Sequence, residues 1–90
     1  MWNDQLKPVK YIVEVYEPGS TDTIANRFDS VSPLMPIRVG ELIHPVRWSA
    51  EDAPHLALRV TEVEHVIENF GDYIMNKVMI YTERVDYRQS

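Results

Sequence analysis

Three histidines, His44, His55 and His65, are the side chains of this sequence best suited to metal or acid–base chemistry. Joined by the carboxylates of Glu41, Glu64 or Glu68, their imidazoles would suit zinc, iron or nickel. The spacing matches neither two histidines four apart around a glutamate nor a short Cys/His pair, so no metal and no other cofactor is assigned. A loop or capping role is expected for His44 and His55. His65 lies on the face of Val63 and Ile67 if its segment is extended, and is expected to be a half-buried core histidine. The competing reading places a metal- or ligand-binding pocket, or an active site, near His65, with His44 and Tyr81 beside it.

Glu62, Glu64 and Glu68 could form a carboxylate pair for acid–base work. Catalytic carboxylates need burial to tune their pKa, and these alternate on what reads as the solvent side of a strand. Ser30, Ser32 and Ser49 lack the glycine-flanked elbow of a serine nucleophile. Gly19, Gly40 and Gly71, the three glycines present, are too far apart to cradle a phosphate. With no cysteine there is no thiolate nucleophile, disulfide, Cys-ligated zinc or iron–sulfur cluster. No catalytic residue is assigned.

Trp48 beside Arg47, Tyr81 near Lys77 and Arg84, and Tyr87 beside Arg88 could stack single-stranded nucleic acid. Fourteen acidic against nine basic residues give a net charge of −5. That balance repels phosphates, so a nucleic-acid-binding barrel ranks as the second alternative. The apolar, stiff segment Pro33-Leu34-Met35-Pro36, together with Trp48 and Phe70 in other expected loops, exceeds what a small core can bury. Leu34, Met35, Trp48 and Phe70 are therefore the candidate interaction residues; their competing role is to plug one end of a barrel.

Ninety residues make a single domain, 1–90. Hydrophobic residues at 44% and charged residues at 26% are ordinary for a folded core. The opening Met1-Trp2-Asn3-Asp4-Gln5-Leu6-Lys7-Pro8 has no signal-peptide pattern, and the absence of cysteine favours the cytoplasm. The run Val78 to Tyr81 is too short to span a bilayer, so no membrane association is expected.

The elements that must position these residues are read from periodicity. Val9, Tyr11, Val13 and Val15 alternate with Lys10, Ile12, Glu14 and Tyr16, predicting a strand over 9–16 that stops at a Pro18-Gly19 turn. Ile24 to Phe28 reads as a short returning strand, or else as one helical turn capped by Ser20 or Thr21. Residues 36–43 read as a strand bent at a Gly40 bulge. Leu56, Val60, Val63, Ile67 and Phe70 have helical spacing with Gly71 as C-cap. Five β-branched residues between Val60 and Ile67 instead favour a strand with one extra residue near Thr61-Glu62, turning at Asn69–Asp72 into a second strand over 77–85.

The expected fold is all-β, a small, strongly bent five-stranded antiparallel barrel of the SH3-like or OB-like kind. The alternative is α+β, with one helix at about 56–70 on a three- or four-stranded antiparallel sheet. The likeness to SH3-like barrels is one of strand count and length, and no functional residue is carried over from it. Core candidates are Tyr11, Val13, Val15, Phe28, Ile37, Val39, Leu42, Leu58, Val60, Val63, Ile67, Val78 and Ile80. The expected function is a non-enzymatic interaction module that self-associates or docks on a partner protein, with 9–16 and 77–85 as strand edges open to pairing.

Overall fold

The computed structural model describes residues 7–34, 36–45 and 56–86. Five strands form one sheet: β1 (Val9–Tyr16), β2 (Ile24–Ser30), β3 (Leu42–Ile43), β4 (Leu56–Asn69) and β5 (Ile74–Asp86). Their order is β2-β1-β5-β4-β3, and the sheet curls through 237° into an open half-barrel. Among the described residues there is no helix. The β-branched composition of 56–70 wins over its helical spacing because β5 supplies a partner along the whole of β4.

The expectation of a wholly antiparallel sheet is corrected: β1 and β5 run parallel, from Val9 with Ile74 to Val15 with Ile80. Alternation dictates which side chains face the core but says nothing about a neighbour's direction. The chain between these strands is long enough for the crossover that parallel pairing needs. The same pairing overturns the reading of 9–16 as an open edge, since β1 lies between β2 and β5. Residues 77–85 are likewise internal as far as Ile80.

The concave face is built in rows across the strands. Tyr11 pairs with Ser30 and Asn76, and Asn76 with Ile67; Val13 pairs with Phe28 and Val78, and Val78 with His65; Val15 pairs with Asn26 and Ile80, and Ile80 with Val63. Val13, Val15, Leu58, Val60 and Ile80 form the buried cluster, with Phe28, Ile37, Ile43, Val63 and Val78 packed against it. Each fully buried aliphatic side chain contributes about 1.5–3 kcal/mol. A shift of register between Val60 and Glu62 leaves Thr61 as the extra residue, the expected bulge. It lets Val60 and Val63 both face inward and adds to the curl.

Three core candidates lie outside: Val39 is 63% exposed, Leu42 36% and Ile67 70%. Gly40 does adopt a positive φ of 96°, but in a turn at Val39-Gly40 rather than a bulge inside a long strand, and β3 is only two residues. The Gly40 amide donates to Val60 O (2.8 Å) and the Val60 amide to Glu41 O (2.8 Å), tying this turn to β4 beside its bulge. At the other end of β1, Gly19 has φ 77°, and the Ser20 amide donates to Glu17 O at 2.9 Å. That closes the turn which Pro18-Gly19 implies. On the convex face, Ile12, Glu14 and Tyr16 are also buried, with the Tyr81 and Lys77 side chains of neighbouring β5 against Tyr16 and Glu14.

Candidate functional site

The open side of the half-barrel is crossed by the segment leaving β2, whose Pro33, Leu34, Pro36 and Ile37 face the concave sheet. Proline fixes φ and removes an amide donor, so this segment is stiff and joins no ladder. Between it and the sheet lies a cavity of about 240 Å³ whose walls include Tyr11, Val13, Val63, His65, Asn76 and Val78. Polar groups enter from two adjacent rows: His65 Nδ1 lies 3.4 Å from Asn76 Oδ1, with Tyr11 in the same wall. His65 is exposed, which corrects the expectation of a half-buried core histidine. It sits near the end of β4, where the sheet outruns its cover. Its imidazole has the Asn76 side-chain amide as neighbour, so the cavity offers apolar contact and hydrogen bonding.

Of the histidines, His44 follows Ile43, the last residue of β3, which pairs with Leu58 of β4, and His65 lies roughly 20 Å further along β4 from Leu58 at about 3.3 Å per residue. The two cannot share an ion. His55 lies outside the described residues. Among the described residues no group of three His, Asp or Glu could hold a metal. Tyr81 and His44 do not line the cavity, so only the His65 portion of the expected pocket comes together.

Of the interaction candidates, Leu34 is 47% exposed in the cavity wall, and Phe70, also 47% exposed, stacks on Tyr73 with ring centroids 4.9 Å apart. Met35 and Trp48 lie outside the described residues. Sequence reasoning put Ile67 in the core; it is instead the most exposed large apolar side chain of β4. The alternation that places it on the concave face cannot say where the covering segment stops.

The outer edge of β4 is paired only at its start, to β3 at Leu58 and Arg59 and to Gly40 and Glu41 at Val60. From Glu62 to Asn69 no described strand lies along it. Val63, His65 and Ile67 point to the concave side there, and Glu62, Glu64, Val66 and Glu68 to the convex side.

The convex face holds a polar cluster that sequence reasoning missed. Tyr16 Oη donates to Glu14 Oε1 at 3.3 Å, Lys77 Nζ stands 3.8 Å from the same oxygen, and the Tyr16 and Tyr81 rings stack at 4.8 Å. Burial, then the negative charge of Glu14, raises the Tyr16 phenol above its ordinary value. Tyr81 is pushed up to about 12, first by its hydrogen bond to Glu64. Strand alternation put all five of these residues on one face, but Glu14 next to valines read as an exposed position. No helix among the described residues is long and apolar enough to cross a membrane. Comparison with protein-family models, curated proteins and solved structures gives no match.

Proposed function

We propose that this chain is a non-enzymatic interaction module, docking on a partner protein or a second copy of itself through the open rim of the half-barrel. The observation that carries this reading is the β4 edge from Glu62 to Asn69, along which no described strand lies, with exposed Ile67 on its concave side two positions beyond His65, which shares a cavity wall with exposed Leu34. Exposed apolar side chains beside an open strand edge are what strand-addition and docking interfaces use. The charge pattern supports a protein rather than a nucleic acid. Arg27 lies 3.2 Å from Asp29, Arg59 3.7 Å from Glu83 and Lys77 3.8 Å from Glu14, so these bases are already partnered. The absence of cysteine supports a reducing compartment, and the cytoplasm belongs to the same proposal.

Selection from a random peptide display library on the folded chain tests the reading, with the Ile67→Asp variant as counter-target. Peptides that bind the parent and lose the variant are expected. A selection that enriches none dependent on Ile67 overturns it. The cavity at His65 favours a second reading, a small apolar ligand. Native mass spectrometry separates the two, because one retained small molecule per chain would put the cavity reading first.

A further inference from the structure

We propose that the partner of this module is a cationic extended segment of another protein, added as a sixth strand along β4 between Glu62 and Asn69. This rests on the interaction-module reading above. The edge supplies eight residues in regular alternation, long enough for a stable ladder and free of proline and glycine. An added strand sets its alternate side chains opposite those of β4 on each face. On the concave side it meets Val63, His65 and Ile67, continuing into the wall formed by Leu34 and Ile37. On the convex side it meets Glu62, Glu64, Val66 and Glu68.

Those glutamates decide the occupant. Glu62 and Glu68 hold no ion pair among the described residues, and Glu64 takes a hydrogen bond from the neutral Tyr81. Lys77, the cation on the neighbouring strand, is directed to Glu14 instead. Among the described residues the convex glutamates of this edge are therefore paired to no cation, and opposite charges directly across strands are favourable. A second copy pairing here so that the groove stays continuous would set glutamates against glutamates, which is unfavourable. Inverted pairing would set them against Val63 and Ile67. The edge thus rejects itself and accepts a strand in which Lys or Arg alternates with apolar residues.

Fluorescence anisotropy on the full chain tests this with two labelled eight-residue peptides, one alternating Lys and Val, the other Glu and Val. The Lys/Val peptide is expected to bind about tenfold or more tightly than the Glu/Val peptide, with affinity falling as salt rises. N-methylation of its alternate amides, made in both phases, is expected to abolish binding in at least one phase by removing ladder donors. The variant Glu62→Lys/Glu64→Lys/Glu68→Lys is expected to reverse the preference, and the single variant Glu68→Lys to narrow it. Equal binding of the two peptides to the parent chain overturns the proposal, as does full binding by both N-methylated forms. If the display selection yields Ile67-dependent peptides without basic alternation, the strand proposal falls and the module reading stands. If it yields none, both fall.

Discussion

At the scale of single residues, backbone conformation and proton binding give the sharpest expectations. Gly40 has φ 96° with nothing within 4 Å of where a Cβ would stand, so Gly40→Val meets only the backbone penalty. A loss of roughly 1–2 kcal/mol is expected, seen as a drop of several degrees in Tm. An unchanged Tm would mean that the turn does not hold this conformation. Tyr16 and Tyr81 are protonated more tightly in the fold than in the unfolded chain. Their contribution is fully present below the ordinary phenol value of 10.0 and is lost as pH rises from there toward about 12. Denaturant titrations across that window should show stability falling, and Tyr16→Phe with Tyr81→Phe should flatten the fall. His65, exposed and with one long polar contact, should tolerate alanine within about 0.5 kcal/mol. A larger loss would give it a structural role that its exposure denies.

At the scale of elements, the bulge in β4 separates two deletions that look alike in sequence. Removing Thr61 leaves Val60 opposite Thr82 and Glu62 opposite Tyr81, so every inward side chain stays inward and only curl is lost. Removing Glu64 shifts one side of the strand by a residue and exchanges its faces. The Thr61 deletion should fold with reduced Tm, and the Glu64 deletion should lack a cooperative melt by circular dichroism. Much of this level was legible beforehand. Period-two alternation set the bounds of β1, and the run of Val and Thr with one slip placed both strands of the hairpin and its bulge. What stayed hidden was non-local. The cover over the concave face stops short of Ile67, and the burial of Glu14 depends on Tyr16 and on Lys77, which is far along the chain. The direction of β5 relative to β1 leaves no mark on either strand's own pattern. The candidate site was half legible: Leu34, His65 and Phe70 were named, but the free edge of β4 was not, because edge position belongs to strand order.

At the scale of the whole molecule, the sheet joins a local hairpin to a distant strand. β4 and β5 meet across a short turn, whereas Val9 must find Ile74. Long-range β pairing slows folding into the millisecond-to-second range. Pulse-labelled hydrogen exchange should find β4 and β5 amides protected before those of β1, and simultaneous protection would count against a hairpin-first order. The parallel pair has a further consequence under load. Tension applied at Val9 and at Asp86 pulls β1 and β5 from opposite ends along their shared axis. The seven matched pairs from Val9 with Ile74 to Val15 with Ile80 then bear the force together in shear, where a hairpin pulled at its open end would unzip bond by bond. A tether between two bodies built on this sheet would behave as a stiff mechanical clamp, yielding abruptly at its unfolding barrier.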